Sequence, residues 1–321
     1  MRSVRTPSPD DVERAWRVVR DVLAPTPVWS GAPALKLETW QPTGSFKVRG
    51  ALTAVAALPG NEQVVTASAG NHGLGVAFAA SRLGRRATVV VAENASAAKV
   101  AALRTFGVEL VQVGATFAEA EAHALELAER GAHYVSPYND PDVIAGQGTI
   151  GYELAEQLGT PLTPLTVVCA VGGGGLASGL GLWAATVPGV RVVGVEVDAA
   201  PSMAAALRAG RQVPVDVRPT VADGIAGNLE PGSVTIDLIA KHVDELVSVT
   251  EDQVRAAIRH LAADRGLVAE GAGAAPVAAL LAGTVRAGER TVAVVSGRNI
   301  ALPALADVLA EEGARRDRGT P

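Results

Sequence analysis

Short runs of aliphatic and β-branched residues alternate with stretches of helical period along most of this chain. Residues 63–68, 87–92, 108–113 and 132–135 read as strands, each a brief apolar run bounded by turn residues. Between and after them, 73–83, 97–106, 117–130 and 141–158 carry apolar positions at helical spacing. A second series places strands at 165–171, 191–197 and 291–295, with helices at 176–186, 250–265 and 272–281. This alternation predicts βαβ crossovers, and therefore parallel sheets covered by helices on both faces. The expected fold class is α/β, with two open parallel-sheet domains, the smaller inserted in the larger. Residues 53–142 make up the small one, residues 1–52 and 143–321 the large, and Asp140-Pro141-Asp142 is the clearest turn between them. The polar tail 313–321 reads as a frayed end.

Composition narrows the function classes. Aromatic residues make up only 3% of the 321, so the interior must be built from Ala, Val and Leu. A net charge of −5, with no long block of one sign, disfavours nucleic acid as a partner, because that needs a basic surface. No uninterrupted apolar stretch of about 18 residues is present, so no membrane span is expected. Pro7, Pro9 and Asp10 fall where a signal peptide would need its apolar segment, so the expected location is cytoplasmic. Cys169 is the single cysteine, which excludes an internal disulfide and a cysteine metal cluster; inside an apolar run it reads as a small core residue. No room is expected after the second series for an added regulatory domain.

Four segments stand out as candidate chemistry. Gly44-Ser45-Phe46-Lys47 sets a lysine between a glycine turn and the start of a helix. Burial there would lower its pKa and leave an amine able to form Schiff bases with carbonyl compounds, whereas full exposure would make it an ordinary helix lysine. Ser68-Ala69-Gly70-Asn71-His72-Gly73 lies between a strand and a helix, where open parallel sheets bind ligands and unpaired N–H groups attract anions. As a purely structural feature, Asn71 there is a helix cap. Gly172-Gly173-Gly174-Gly175-Leu176 follows a strand directly and suits a loop whose amides wrap a phosphate. The rival there is a dinucleotide fingerprint formed by Gly172, Gly174 and Ala177 with Glu196 ending the next strand, which would mean a nicotinamide-dependent dehydrogenase. Ser296-Gly297-Arg298-Asn299 follows the last strand, where a serine can hydrogen-bond a ring nitrogen; alone it is an ordinary turn.

Taken together, a nucleophilic lysine, a carboxylate cradle, a phosphate cup and a hydroxyl for a heterocycle are the parts that hold pyridoxal phosphate with an amino acid. The chain resembles the threonine/serine dehydratases of the fold-type II (tryptophan-synthase-like) pyridoxal phosphate enzymes. The similarity runs through residues 36–47, 67–73, 140–149, 171–176, 222–224 and 296–297, in order and over nearly the whole length. The resemblance implies that Lys47 is the Schiff-base lysine, with Phe46 beside the cofactor. Gly172, Gly173, Gly174, Gly175 and the Leu176 amide would hold the phosphate, Asn71 would meet the ring hydroxyl and Ser296 the pyridine nitrogen. Ser68, Ala69, Gly70, Asn71 and His72 would receive the substrate carboxylate. Gly224 would line the site and Glu270 would lie near the ring. The implied reaction is α,β-elimination from a small 3-hydroxy amino acid, giving a 2-oxo acid and ammonia, in a homodimer.

Departures from the family pattern sharpen this. Related serine racemases carry a second serine where this chain has Ala69, so elimination without racemisation is expected, with a serine- or aspartate-type racemase as the alternative. A non-catalytic ligand-binding protein would keep the cofactor without turnover. Arg298 stands where dehydratases usually have glycine; its guanidinium either pairs with a second acidic group on a substrate such as 3-hydroxyaspartate or bonds an internal carboxylate. Many relatives hold a divalent cation through a glutamate, a carbonyl and an aspartate. Glu196 and Ala200 match the first two positions, but Ser202 replaces the aspartate, so affinity for Mg or Ca should fall.

Overall fold

The computed structural model describes residues 4–288 and 290–316, with side chains as far as 311. The chain begins with helix α1 (Pro9–Arg20), strands β1 (Val28–Trp29) and β2 (Ala34–Leu37), and helix α2 (Lys47–Ala57). Strand and helix then alternate through β3 (Val64–Ala67), α3 (Asn71–Leu83), β4 (Ala87–Val91), α4 (Ala97–Arg104), β5 (Glu109–Gln112), α5 (Phe117–Glu129), β6 (His133–Tyr134) and α6 (Pro141–Leu158). The second series runs β7 (Leu165–Ala170), α7 (Gly175–Ala184), β8 (Val190–Val197), α8 (Ser202–Ala209), α9 (Thr235–His242), β9 (Glu245–Val249), α10 (Glu251–Arg265), α11 (Gly271–Leu281), β10 (Thr291–Val295) and α12 (Leu302–Arg316). Of the tail 313–321, residues 313–316 end α12, while 317–321 lie outside the described residues.

Two sheets result. The larger has the order β1-β2-β10-β7-β8-β9 and the smaller β5-β4-β3-β6. Every pair is parallel except β1 with β2 at the edge of the large sheet. Central strands β3, β4 and β10 are buried along their whole length, which is why they read as continuous apolar runs. Strands β5 and β9 lie at sheet edges and expose part of each face. The pattern did not predict β1, β2 or β9. The first is two residues long, and Lys36 interrupts the apolar run of the second although it is fully buried.

Small residues set how closely the helices pack. The expected domain boundaries at 52/53 and 142/143 fall inside α2 and α6, and these helices touch backbone to backbone. A Cβ on Gly146 would lie 2.6 Å from the Gly50 Cα. Likewise α6 meets α7 where a Cβ on Gly148 would lie 2.5 Å from the Gly179 carbonyl, and one on Gly179 would strike the Ile144 carbonyl. Asp140, in the turn read as the boundary, is the N-cap of α6 and accepts from the Asp142 and Val143 amides at 2.9 and 3.0 Å.

A charged cluster sits in the same interior. Arg49 on α2 donates to both oxygens of Glu38 at 2.7 Å and to Glu153 on α6, and the Lys36 ammonium lies 3.1 Å from Glu153. All four side chains are essentially inaccessible. Burial opposes the Arg49 charge, but Glu38 and Glu153 outweigh it and hold the guanidinium above its usual pKa. Buried charges survive only when matched in this way.

Gly179→Ala should overpack the α6–α7 contact and cost roughly 1–3 kcal/mol, read as a lower midpoint in denaturant. Gly227, around which a Cβ would meet nothing within 4 Å, is the control: Gly227→Ala should leave the midpoint nearly unchanged.

Candidate active site

The site forms where the switch points of two sheets face each other. In the large sheet β7 leads on to β8 on one side while β10, the last strand, lies on the other; in the small sheet β3 leads on to β4 while β6, whose chain crosses to the large sheet, lies on the other. Crevices beyond the carboxyl ends of such strands are where open α/β sheets hold ligands. Residues 296–299 follow β10, residues 172–175 follow β7, residues 68–72 follow β3, and Pro137 and Tyr138 follow β6. Topology therefore sets residues 172–175 and 296–299 at one end of the large sheet, Asn71 of the small sheet joins them through Glu270 and Asn299, and the fourth segment is tied to them directly. The Phe46 amide donates to the Ser296 carbonyl at 2.9 Å, and Ser45 forms an isolated antiparallel bridge with Gly297.

Lys47 is the first residue of α2 and is half-buried. Its ammonium donates to the Pro137 carbonyl at 2.7 Å and stands 5.2 Å from the centroid of the Phe46 ring. Among the described residues no carboxylate forms an ion pair with it; burial pulls its pKa down to about 8, against a weaker opposing pull from Glu270. Helix α3 approaches closely here, since a Cβ on Gly75 would lie 3.1 Å from the Lys47 carbonyl.

His72, in the first turn of α3, is buried. Its Nε2 lies 3.0 Å from the Val135 carbonyl and donates to it, while Nδ1 is buried with no partner. Burial, helped by the nearby Lys47 charge, lowers its pKa to about 3, so the imidazole is neutral under ordinary conditions. Ser68, Ala69, Gly70 and Asn71 are half-buried, and the Ser68 hydroxyl accepts from the Gly70 amide at 3.2 Å.

The tetraglycine loop has no room for side chains. A Cβ on Gly172 would lie 2.8 Å from the Ile225 Cα, one on Gly173 would run into the Tyr138 ring, and one on Gly175 would lie 3.1 Å from the Tyr138 backbone. Gly174, the N-cap of α7, has φ +87°, a conformation that favours glycine. The loop ends in the buried Leu176 and presents the unpaired N–H groups of a helix start. Tyr138 directly follows Pro137, so one dipeptide joins the lysine to the glycine cup. Gly224 lies in the 3₁₀ turn 223–225, beside Ile225.

Glu270 caps α11 and accepts from the Asn71 amide at 2.7 Å. Burial raises its pKa to about 7 despite that hydrogen bond. Ser296 is buried at the end of β10, and a side chain on Gly297 would collide with Glu270. The Arg298 guanidinium is exposed and donates to the Thr39 carbonyl, so it bonds a backbone oxygen and not an internal carboxylate. Asn299, to which no task was assigned from sequence, donates to Asn71 and to the Thr43 carbonyl. These contacts join residues more than 200 positions apart or nearly so and leave no local signal.

The other sequence candidates lie elsewhere. Glu196 accepts from the Ala204 amide at 3.3 Å and is raised to about 7 by burial; the Ala200 carbonyl accepts from the Ser202 amide at 2.9 Å. Among the described residues no group of three or more His, Cys, Asp or Glu side chains is placed to hold a metal. Cys169 is buried in β7 and its thiol is pushed up to about 12 by burial, as suits a core residue. Among the described residues, no helix is long and apolar enough to cross a membrane.

The donor set suits a phosphorylated aldehyde. Four consecutive glycines lead into the amide-rich start of α7, which attracts anions, and an amine of lowered pKa bonds the residue next to the tyrosine they pack on. A family model described as "Pyridoxal-phosphate dependent enzyme" matches residues 20–297. An L-threonine ammonia-lyase of Thermotoga maritima is 43% identical over 305 residues, covering 91% of this chain and 75% of that protein. A solved threonine deaminase from "T.th." superposes with a TM-score of 0.85 at 36% identity, covering 92% of this chain and 99% of that one. Maize serine racemase superposes with a TM-score of 0.87 at 28% identity, covering 98% and 100%.

In the protein without cofactor, the Lys47 amine should react with an acylating reagent along a pH profile whose midpoint lies near 8. A midpoint near the ordinary 10.5 would contradict the account of its environment. The sign for stability follows: between these values the unfolded chain holds this proton and the folded one does not, so the contribution of this group rises with pH across the window.

Proposed function

This chain belongs to the pyridoxal-phosphate dependent enzymes, and from that premise we propose that it is an ammonia-lyase of the threonine/serine dehydratase type. It converts a 3-hydroxy amino acid to a 2-oxo acid and ammonia. The observation that carries this is a lysine amine of lowered pKa, held between the carboxyl ends of two parallel sheets and one dipeptide from a glycine cup.

When bound, pyridoxal phosphate supplies an aldehyde that condenses with amines and a ring that takes up the charge left at Cα. The amides of Gly172, Gly173, Gly174, Gly175 and Leu176 would hold its phosphate, and Phe46 would lie beside it. Ser296 would face its ring nitrogen with a neutral hydroxyl, which would leave that nitrogen unprotonated and favour prompt loss of the β-hydroxyl. Lys47 would anchor the cofactor through Nζ. As a free amine, about half neutral at pH 8 and more so above it, Lys47 would remove the Cα proton. The Pro137 carbonyl, which accepts from Nζ, would hold the free amine in place. The substrate carboxylate is taken by the 68–72 loop, where a neutral His72 adds no positive charge to compete for it. Gly224 closes the side toward α11, where its Cβ would meet only Ala272.

Ala69 carries no hydroxyl to return a proton on the opposite face, which favours elimination over the racemase alternative. The exposed Arg298 keeps a substrate with a second acidic group in the assay. Trp29, Trp40 and Leu302, which are 42%, 64% and 78% exposed, support a homodimer in which a second copy covers apolar surface. A single buried, unpaired cysteine suits the cytoplasm.

With L-threonine, L-serine, 3-hydroxyaspartate and bulkier 3-hydroxy amino acids, the protein loaded with cofactor should release ammonia and 2-oxo acid in equal amounts, and L-serine should yield no D-serine. Lys47→Ala should lower that rate by about 10³-fold or more. D-serine formed as fast as ammonia would favour the racemase. Absence of ammonia release from every substrate would contradict the proposal.

A further inference from the structure

Asn299 occupies the middle of a hydrogen-bond chain whose direction is set from one end. The Thr43 carbonyl is a backbone acceptor and can do nothing else. Asn299 Nδ2 donates to it at 2.8 Å and to Asn71 Oδ1 at 2.6 Å. Asn71 Nδ2 then donates to Glu270 Oε1 at 2.7 Å. Turning the Asn299 amide over would press its oxygen against two acceptors. Turning Asn71 over would bring its oxygen onto the Glu270 carboxylate and its NH₂ onto the NH₂ of Asn299. The chain therefore has a single polarity. Glu270 does not enforce it alone, because a carboxyl group accepts when ionised but can donate when protonated.

Donor counting gives the consequence. A primary amide has two N–H groups. Asn299 uses both within the protein, and Asn71 uses one on Glu270, leaving one for a ligand. The surroundings of Asn299 keep its amide where it is. Gly44, with φ +75°, leaves the space that a Cβ would deny to Asn299 Oδ1. The neighbouring Arg298 amide is tied to the Gly44 carbonyl at 2.9 Å.

We propose that Asn299 is a positioning residue that fixes Asn71 as a hydrogen-bond donor toward the ligand, so that Asn71 selects an acceptor, the deprotonated ring hydroxyl of pyridoxal phosphate. This rests on the assignment of the cofactor site made above. It also places the start of α3, from the small sheet, between two side chains of segments that flank the large one.

The test is a double-mutant cycle on cofactor affinity, read from the visible band as apoprotein is titrated with pyridoxal phosphate. Asn299→Asp replaces a double donor with an acceptor and should weaken binding roughly tenfold or more, the worth of one hydrogen bond to a charged acceptor. In an Asn71→Ala background the same change should have an effect of about twofold or less, because its only route to the ligand is gone. Asn299→Ala, which removes the donor without adding charge, should weaken binding less than Asn299→Asp does. It serves in its place if the aspartate variant lacks a cooperative melt. An equal loss in both backgrounds, or an unchanged dissociation constant in a variant that melts cooperatively, would overturn the role of Asn299 while leaving the enzyme assignment standing. A wild-type protein that shows no saturable band would overturn both.

Discussion

Two cations sit two residues apart at the start of one helix, and the difference between them governs the molecule. Arg49 is matched by Glu38 and Glu153 and keeps its charge in a fully buried setting. Lys47 donates to a carbonyl and lies over the Phe46 ring, and burial pulls it toward the neutral form. Desolvation acts on both, but Arg49 has two carboxylates in contact to outweigh it, whereas Lys47 has only the weaker pull of Glu270. The matched pair helps to clamp α2 to α6. The unmatched amine is thereby held in a rigid setting with a proton it gives up easily.

That clamp explains why the site can be open and ordered at once. Helices α2, α3, α6 and α7 approach at glycines, with α6 touching α2 and α7 nearly backbone to backbone. Close packing of this kind transmits little slack. The loops that line the crevice are mixed, with Ser68 to Asn71, Gly172 and Gly173 half-buried, Gly174, Gly175, Ser296 and Gly297 buried, and Arg298 and Asn299 exposed. Each loop hangs from the end of a central strand or the start of a packed helix, so the flexible atoms are few.

Much of this was legible in the residues before any coordinates. Parallel strands buried on both faces announce themselves as apolar runs, and glycines at their ends mark where backbone must approach something. The alternation from 63 to 158 and the Gly172–Gly175 loop were readable for that reason. Local pattern could not show what depends on contact between distant segments. The pairing of Arg49 with Glu153, the packing of Tyr138 on the glycine loop and the link from Asn299 through Asn71 to Glu270 all belong to that class. Lys36 and Glu38 were visible as part of a family motif, yet nothing in the sequence said they would be buried in an ion cluster. Arg298 offered two readings from sequence, a substrate acid or an internal carboxylate; in the fold its guanidinium meets a backbone carbonyl.

The chain contains four lysines, Lys36, Lys47, Lys99 and Lys241, and this makes the central claim open to one decisive measurement. Protein loaded with pyridoxal phosphate, reduced with borohydride and digested, can be mapped by mass spectrometry for the lysine that carries the pyridoxyl group. The amine at 47 should carry it in nearly all molecules, while Lys36, already bonded to Thr26, Gln157 and Glu153, should carry none. A label spread over the exposed lysines, or concentrated on any residue other than Lys47, would contradict the account.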